Sequence, residues 1–226
     1  MAERRAPIAV AIMAKAPRPG EVKTRLCPPL SPAQAADLGR AFLLDKIAQV
    51  RALPGVTPAI AFTPEDERAL FARLAPGFTL VPQRGDDLGA RLHSTLDELL
   101  RHGHAAALAI DSDTPTLPSE LLEEAVRVSG SRDVDVVLGP TEDGGYYLVG
   151  IRAAHRELFD AIPWSTAAVL ATTLARARAA GLRTVCLPAW FDVDTPADLE
   201  RLRAELDATP EGARETRRLL AAWRVS

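Results

Sequence analysis

The chain contains only two cysteines, Cys27 and Cys186, among its 226 residues. Two cysteines that lie so far apart in sequence build neither a disulfide framework nor a cysteine-based zinc site. We therefore expect two buried thiols in a protein of the reducing cytoplasm. Long hydrophobic runs are absent as well, since no apolar stretch approaches the roughly 18 residues that span a bilayer. We accordingly expect no membrane partner.

An excess of positive charge is also missing. Lysine and arginine together number 27, aspartate and glutamate number 30, and the formal net charge is −3. Proteins that hold a nucleic-acid backbone carry a strongly basic surface. The composition therefore predicts no nucleic-acid partner.

The N-terminal segment has some features of a secretion signal, because Arg4 and Arg5 precede the apolar stretch 6–14. Pro7 shortens that stretch, and Lys15 interrupts the small-residue pattern that a cleavage site requires. We therefore interpret the segment as a buried first strand.

Short apolar runs alternate with amphipathic helical patterns along the chain. This alternation predicts right-handed βαβ crossovers and a mostly parallel sheet covered on both faces, which is an α/β domain. Two extended runs around residues 139–145 predict a small antiparallel insertion. No linker or repeat divides the chain, so we expect one domain over residues 1–226. The predicted strands are Ile8–Met13, Val56–Phe62, Phe78–Val81, Ala105–Ile110, Val134–Leu138, Tyr146–Ile151 and Arg183–Leu187. The predicted helices begin at Pro32 after the N-cap Ser31, at Pro64, after Asp86 or Asp87, at Pro118, at Ala167, and near Pro196 and Glu211.

The loop after the first predicted strand is rich in cations. Ligands of open α/β sheets bind beyond the carboxyl ends of the strands, and residues 15–26 occupy such a position. The loop contains two of the chain's three lysines. Cations on a loop shaped by proline and glycine can surround a polyphosphate through charge-assisted hydrogen bonds. A solvated basic loop is the simpler alternative. The predicted nucleotide-binding residues here are Lys15, Gly20, Lys23 and Arg25.

Two acidic pairs follow later strands in one shared pattern, Asp-x-Asp-Thr-Pro. The first pair is Asp111 and Asp113, and the second is Asp192 and Asp194. Residues two apart in an extended segment project to the same side, and carboxylates are preferred ligands of Mg²⁺ and Mn²⁺. All four aspartates are therefore candidate metal ligands. The simpler alternative is that they cap the helices that follow.

Three weaker signals lie elsewhere in the chain. Gln83 and Gly85 follow a predicted strand, where the Gln83 amide is a candidate partner for the edge of a base. Residues 142–145 read Glu-Asp-Gly-Gly, which suits a hairpin and also a close approach of the backbone to a ligand. Trp164 fits either a lid or the core. The predicted substrate-binding residues are Glu142, Asp143, Gly144, Gly145 and Trp164.

The order of these motifs resembles the radical-SAM/selenodomain-associated transferase family, within the GT-A nucleotide-diphospho-sugar transferases. The signature is also similar to that of guanylyltransferases that make 2-phospholactate-guanosine diphosphate and the molybdenum dinucleotide cofactor. The matching stretches cover most of the chain in the family's order. They are Met13–Leu26, Gln83–Leu92, Asp111–Pro118, Gly139–Gly150, Ile162–Thr166 and Asp192–Leu199.

This resemblance implies a GT-A fold in which the N-terminal loop holds nucleotide phosphates and Asp113 holds a divalent metal. It also implies that Asp194 lies near that metal and that Gln83 and Gly85 lie near the base. Residues 144–145 would then lie near the second substrate.

We therefore expect a metal-dependent transferase that uses a nucleoside-diphosphate sugar and Mg²⁺ or Mn²⁺. Lys23 and Asp113 are the predicted catalytic residues at the phosphates, and Asp143 or Glu142 is the predicted general base. The position of Asp111 is usually glycine in the resembling family, which favours Asp113 as the metal ligand. The alternative reaction is nucleotidyl transfer, in which a small metabolite attacks a nucleoside triphosphate and pyrophosphate leaves. A nucleotide-sensing module without turnover is the third hypothesis.

Overall fold

Strands and helices alternate through residues 6–223, the part of the chain that the computed structural model describes. Each predicted strand is present, and its boundaries differ from the prediction by at most two residues. The strands are β1 (Ile8–Lys15), β2 (Val56–Thr63), β3 (Thr79–Pro82), β4 (Ala106–Ile110), β5 (Val136–Pro140), β6 (Tyr146–Ile151) and β7 (Thr184–Cys186). The helices are α1 (Pro32–Ala52), α2 (Arg68–Leu74), α3 (Leu88–Arg101), α4 (Ser119–Ser129), α5 (Val169–Ala179), α6 (Pro196–Ala208) and α7 (Arg214–Trp223).

The strands form one sheet in the order β3-β2-β1-β4-β6-β5-β7. Neighbouring strands are parallel except at β6, which runs antiparallel to both β4 and β5. The predicted antiparallel insertion is therefore a reversed strand inside the sheet. The central strands β1 and β4 end at the same edge, followed by the cation-rich loop and by Asp111 respectively.

Helices cover both faces of the sheet, as the three-layer α/β prediction requires. Val10 and Ile12 of β1 point into a core formed with α1, α2 and α4. Ala9 and Ala11 point to the opposite face, where α3 and α5 pack. The alternation of β1 side chains between two buried faces explains why this strand has a continuous apolar sequence.

A third apolar cluster joins α1 to the C-terminal helices, and Phe42 packs in it with Leu199 of α6. A hydrogen-bonded contact adds to this packing. Asp45 of α1 accepts hydrogen bonds from the backbone amides of Glu215 (2.8 Å) and Thr216 (2.9 Å). The amides of the first turn of α7, which no residue within that helix can satisfy, are thereby satisfied by a side chain of α1.

Two expectations are wrong in detail. Cys186 is exposed because β7 is a three-residue strand at the edge of the sheet, and Cys27 is only half-buried because it lies in a loop, at the end of a 3-10 turn over Thr24–Leu26. The last helix begins at Arg214 rather than near Glu211. Of the two predicted caps of α3, the structure uses Asp87.

None of the helices in residues 6–223 is long and apolar enough to cross a membrane. The first strand is buried as predicted. Arg4 and Arg5 lie outside the described residues.

Candidate active site

A cleft of about 430 Å³ opens beyond the carboxyl end of the sheet, between the cation-rich loop and the ends of β1 and β4. Its walls carry cations and carboxylates together. The predicted site residues that line it are Lys15, Lys23, Arg25, Gln83, Asp111, Asp113 and Asp194. The fold therefore brings the predicted phosphate loop and members of both acidic pairs into one cavity.

Lys23 is a nearly enclosed cation in this cleft, with 6% of its side chain exposed. Its Nζ lies 2.7 Å from Asp113 Oδ1 and 3.0 Å from Asp194 Oδ1, and it donates a hydrogen bond to the carbonyl oxygen of Val193 at 2.9 Å. These three acceptors match the three N–H groups of an ammonium. Burial acts to lower the pKa of Lys23, but the two carboxylates outweigh it and hold this pKa above its ordinary value. Lys23 is therefore a cation throughout the neutral range.

Local backbone geometry directs Lys23 at the carboxylates. The residue has left-handed backbone angles (φ 50°, ψ 33°) immediately before a 3-10 turn at Thr24–Leu26. Gly39 of α1 lacks a side chain where a Cβ would lie 3.4 Å from Val22 Cγ2, so the loop packs closely on α1. The centre of the Phe42 ring lies 5.5 Å from the ammonium, which is within the range of a cation–π contact.

The backbone joins the two acidic loops to each other. The amide of Val193 donates to the carbonyl oxygen of Asp113 at 3.0 Å. Side chains of Asp113 (42% exposed) and Asp194 (34% exposed) consequently face Lys23 from two loops that are fixed together.

Neither acidic pair caps the helix that follows it. Helix α4 begins after Pro118 without a side-chain cap. Helix α6 is capped by Thr195, which forms a reciprocal capping box with Asp198. The interpretation of the paired aspartates as helix caps is therefore wrong, because neighbouring residues perform that role or none does.

The sequence predicted no role for Lys46 of α1, yet its side chain forms hydrogen bonds with the first acidic loop. Its Nζ donates to the carbonyl oxygen (3.0 Å) and the hydroxyl (3.1 Å) of Thr114 and to Gln49 Oε1 (3.1 Å). The Thr114 hydroxyl in turn donates to Asp111 Oδ1 at 2.7 Å. Burial lowers the pKa of Lys46 to about 8 and raises the pKa of Asp111 to about 7. Asp111 is thus connected to Lys46 through the Thr114 hydroxyl, whereas Asp113 faces Lys23. The rarity of lysine in this chain is the one sequence signal that pointed to Lys46.

Asp192 is not part of the cleft wall formed by the described residues. It is half-buried, and burial raises its pKa to about 6 with a further contribution from the charges of Asp143 and Asp194. The turn at residues 141–145 contacts the chain just before Asp192, because the Glu142 amide donates to the Trp190 carbonyl oxygen at 3.0 Å.

The other residues of the cation-rich loop are more exposed. Lys15 Nζ donates to the carbonyl oxygen of Glu21 at 3.0 Å. Arg25 lies 3.2 Å from Asp194 Oδ2, and its side chain is 69% exposed. Gly20 is an exposed turn residue with φ of 79° and no neighbouring atom where a Cβ would lie. Lys15 and Arg25 can therefore move toward a ligand without leaving a buried position.

Gln83 and Gly85 differ in their relation to the cleft. Gln83 Nε2 donates to the carbonyl oxygens of Ala61 (2.7 Å) and Ala14 (3.3 Å), so its amide N–H groups link β1 to β2, and its predicted contact with a base stays a prediction. Gly85 has φ of 127°, and a Cβ there would lie 2.4 Å from Ala90 Cβ. The packing of the loop against α3 accounts for this glycine.

The turn that contains Asp143 is built as a tight hairpin. Asp143 Oδ1 accepts hydrogen bonds from the Thr141 hydroxyl (2.6 Å) and the Gly145 amide (3.0 Å). Gly144 has φ of 92°, and a Cβ there would lie 2.3 Å from the carbonyl oxygen of Ala167. Packing within the chain therefore explains a glycine at position 144, whereas its predicted contact with a substrate stays a prediction.

Glu142 is occupied by an ion pair with a residue of α6. Arg201 forms two hydrogen bonds to its carboxylate, at 2.5 and 2.8 Å, and these lower the pKa of Glu142. The Arg201 guanidinium also lies 3.9 Å from the centre of the Phe191 ring. This pairing ties the turn to the second acidic loop and makes Glu142 a poor proton acceptor.

Trp164 packs against the start of α3 rather than lining the cleft. A Cβ at Gly89 would lie 2.9 Å from Trp164 Nε1, and Tyr146 contacts the indole edge to face at 6.2 Å. The core interpretation of Trp164 therefore describes its contacts, while a role in substrate binding stays a prediction.

The described residues contain no group of three or more His, Cys, Asp or Glu side chains arranged to hold a metal ion. Mg²⁺ is commonly held by only one or two carboxylates, with water and substrate phosphates as the other ligands. Asp113 and Asp194 meet this smaller requirement, because their carboxylates already converge on one cationic atom, Lys23 Nζ. The donor set fits a hard divalent ion that binds together with phosphates.

Residues 46–166 match the model of the family described as "Uncharacterized protein conserved in bacteria (DUF2064)". The chain belongs to this family. The DUF2064 match includes the first acidic pair and Lys46, whereas Lys23 and Asp194 lie on either side of it. No curated protein matches the chain.

Solved structures extend the similarity of this DUF2064 protein over nearly the whole chain. A candidate nucleotide-diphospho-sugar transferase from Desulfovibrio desulfuricans G20 has 31% identity and a TM-score of 0.86, with 95% of this chain and 94% of that chain covered. CMP:2-keto-3-deoxy-manno-octonic acid synthetase complexed with CTP has 16% identity and a TM-score of 0.57, with 90% and 99% covered. Glucosyl-3-phosphoglycerate synthase from Mycobacterium tuberculosis, in complex with Mn²⁺, UDP and glucosyl-3-phosphoglycerate, has 14% identity and a TM-score of 0.52, with 96% and 79% covered.

These likenesses confirm the predicted nucleotide-diphospho-sugar transferase fold. The two more distant structures are evidence of the fold alone. The neighbour with 31% identity supports a transferase of this superfamily, and none of these neighbours supports the predicted radical-SAM association.

Proposed function

We propose that this protein is a metal-dependent transferase that binds a nucleotide in the cleft, and that its reaction is glycosyl transfer from a nucleoside-diphosphate sugar. One observation carries the proposal. An enclosed ammonium, Lys23, meets one carboxylate from each acidic loop inside a cleft at the carboxyl end of the sheet. This combination of a cation and two hard oxygen ligands suits a diphosphate with its metal ion. The fold shared with nucleotide-diphospho-sugar transferases supports it.

Each residue of the cleft has a separate task in this proposal. Asp113 and Asp194 would hold Mg²⁺ or Mn²⁺, which supplies Lewis-acid stabilisation of the diphosphate when it is bound. Lys23 and Arg25 donate hydrogen bonds to phosphate oxygens as negative charge grows on the departing nucleoside diphosphate, and Lys15 adds a further positive charge at the cleft mouth.

The acceptor would bind on the side of the turn at residues 141–145. Its hydroxyl attacks the anomeric carbon as the bond from that carbon to the diphosphate breaks, and Asp143 takes the hydroxyl proton. Asp143 has a second carboxylate oxygen for this purpose, because both of the hydrogen bonds that build the turn go to its Oδ1. The Arg201 ion pair favours Asp143 over Glu142 for this role.

Nucleotidyl transfer is the competing function, and the number of cations in the cleft favours it. Besides Lys15, Lys23 and Arg25, Arg91 lines the same cavity, and a triphosphate has more negative charge to offset than a sugar diphosphate. In that reaction an oxygen of a small metabolite attacks the α-phosphorus and pyrophosphate leaves. A structural neighbour in complex with CTP is consistent with this alternative.

Product analysis separates these functions after a thermal-shift screen of nucleotides and nucleotide sugars, with and without Mn²⁺, has found the donor. Release of nucleoside diphosphate with a glycosylated acceptor supports glycosyl transfer, and release of pyrophosphate supports nucleotidyl transfer. Tight binding without turnover on any acceptor would instead support the sensing module.

The decisive variant is Asp113→Asn, which keeps the shape of the side chain and removes its charge. We expect it to lower turnover by about 100-fold or more and to weaken the dependence on Mn²⁺. Asp133→Asn is the matched control, because Asp133 has the same chemistry on an exposed side chain far along the sheet. Unchanged turnover and metal dependence in Asp113→Asn would rule out the proposed site.

Cytoplasmic location and membership of the radical-SAM-associated subgroup remain part of this proposal. The fold and the geometry of the cleft do not depend on either.

A further inference from the structure

We propose that in the ligand-free cleft the Lys23 ammonium occupies the position that the divalent cation takes when it binds. The binding of the metal and the binding of the nucleotide phosphates are then coupled, because each increases the affinity for the other. The inference rests on the proposed function and concerns the order of events at the same site. It assigns Lys23 two successive partners, which are the carboxylates of Asp113 and Asp194 and then the phosphates.

The ammonium of Lys23 has three N–H groups and therefore a limited number of partners. Lys23 Nζ donates hydrogen bonds to Asp194 Oδ1 at 3.0 Å and to the Val193 carbonyl oxygen at 2.9 Å, and it lies 2.7 Å from Asp113 Oδ1 in an ion pair. These contacts hold the ammonium against both carboxylates, with only 6% of the side chain exposed. To turn toward a phosphate, Lys23 therefore has to release at least one carboxylate.

The same geometry limits where a metal ion can bind to the carboxylates of Asp113 and Asp194. Their oxygens converge on Nζ, so a metal ion that bound both would occupy nearly the same point as the ammonium. Two cations so close together would repel each other strongly within a partly enclosed cleft. Asp113 and Asp194 would therefore have to release Lys23 in order to hold a metal ion, and the freed ammonium would be available to nucleotide phosphates in the same cleft.

Two consequences follow for binding. A metal ion alone has to break the ion pairs of Lys23 without any new partner for the ammonium, so it binds weakly. When phosphates are present, the ammonium exchanges two carboxylates for phosphate oxygens, so each ligand improves the binding of the other by the same factor.

The test measures Mn²⁺ binding without any nucleotide, by electron paramagnetic resonance of free Mn²⁺, in the full-length chain and in two variants. Lys23→Met removes the competing ammonium. Lys15→Met removes a positive charge from the same loop at a residue that contacts Glu21 and neither aspartate, so it is the matched control for general electrostatics. We expect Lys23→Met to bind Mn²⁺ about tenfold more tightly than the unmodified chain and Lys15→Met to change the affinity by less than about threefold.

A second measurement uses inorganic pyrophosphate as a probe that contains no base. We expect Mn²⁺ to tighten pyrophosphate binding to the unmodified chain in calorimetry, and Lys23→Met to weaken pyrophosphate binding even when Mn²⁺ is saturating. A general loss of structure would weaken the binding of both Mn²⁺ and pyrophosphate, so tighter Mn²⁺ binding together with weaker pyrophosphate binding cannot come from it. If Lys23→Met is destabilised, the larger Mn²⁺-dependent rise in its melting temperature gives the same information.

Equal or weaker Mn²⁺ binding by Lys23→Met would overturn the inference, and so would an equal gain in both variants. These failures are distinct from failure of the proposed function. If nucleotide turnover depends on Asp113 while Lys23→Met leaves Mn²⁺ affinity unchanged, only the exchange is wrong. If no nucleotide binds or reacts, the proposed function is wrong whatever the Mn²⁺ affinities are.

Discussion

The segments 111–115 and 192–196 share the pattern Asp-x-Asp-Thr-Pro, and a comparison of the two separates what the pattern determines from what its surroundings determine. In both segments the second aspartate faces Lys23. In both, the first aspartate is partly buried and this burial raises its pKa, to about 7 for Asp111 and to about 6 for Asp192. The division of labour between the two aspartates is therefore common to both copies.

The threonines distinguish the copies. Thr114 is buried and links Lys46 to Asp111 through its hydroxyl. Thr195 is the N-cap of α6 and accepts a hydrogen bond from the Asp198 amide. One loop is thus anchored by the buried Lys46 and the other by the N-terminus of α6. The same Asp-x-Asp-Thr-Pro pattern is therefore compatible with anchoring interactions of very different strength.

The largest effect is expected from removal of the anchor of the first copy. Lys46→Met leaves the carbonyl and hydroxyl of the buried Thr114 without their cationic donor and removes the positive charge near Asp111. We expect the free energy of unfolding to fall by about 3 kcal/mol. Urea unfolding of the purified variant measures this change. Lys15→Met is the exposed control and should change stability by no more than about 0.5 kcal/mol.

The double variant Lys46→Met/Asp111→Asn sharpens this prediction. Because it removes the unpaired negative charge as well, it should recover part of the lost stability. A single-variant loss below about 1 kcal/mol would show that the first loop does not depend on the buried lysine.

The raised pKa of Asp192 predicts a smaller, pH-dependent effect in the second copy. The unfolded chain ionises this carboxyl near 3.8 and the folded chain near 6, so the folded state binds more protons between these values. The contribution of Asp192 to the free energy of unfolding therefore decreases as pH rises from about 4 to about 6. We expect Asp192→Asn to be more stable than the unmodified chain at pH 7 by about 1–2 kcal/mol, after an allowance for solvent screening at a half-buried site.

Denaturant unfolding at several pH values, with a chelator present to exclude metal ions, measures this difference. The two proteins should converge below about pH 4. A difference between them that is constant over the whole pH range would contradict a titration of Asp192 as its cause.

The smallest expected effect belongs to the cap of α6. Thr195→Ala removes the side-chain acceptor of the capping box and should lower the free energy of unfolding by about 1 kcal/mol. Ser31→Ala is a matched control, since Ser31 forms the same capping box at α1. Both variants should lose similar stability, but only Thr195→Ala should also weaken nucleotide binding, because Thr195 is adjacent to Asp194. Equal nucleotide affinity in the two variants would show that the cap does not position the aspartate.

Much of the fold was predictable from local patterns. The apolar runs located every strand, most clearly the central ones, because a strand buried on both faces has to be apolar throughout. The order of the strands was not predictable, since the reversed strand β6 inserts between β4 and β5 through contacts that are distant in sequence. The exposure of Cys186 was missed for a related reason, because no local signal shows that β7 is an edge strand.

The site was predictable where chemistry follows a strand directly. Lys23, Asp113 and Asp194 were expected near one another, and the structure places the three side chains in contact. The support from Lys46 was not predicted, because this residue lies among buried apolar positions of α1 and its partner Thr114 is 68 residues further along the chain.

Asp45 and Lys46 are consecutive residues of one helix, and their partners lie in different parts of the sequence, at residues 215–216 for Asp45 and at Thr114 for Lys46. Asp45 accepts hydrogen bonds from the first turn of α7, and Lys46 donates a hydrogen bond to Thr114 in the first acidic loop. Truncation of the chain ahead of Arg214 would remove the hydrogen-bond donors of the buried Asp45 carboxylate, which is next to Lys46 in the sequence. Protein engineers who shorten or fuse this terminus would therefore also alter the electrostatic environment of a cavity that the deleted helix never touches.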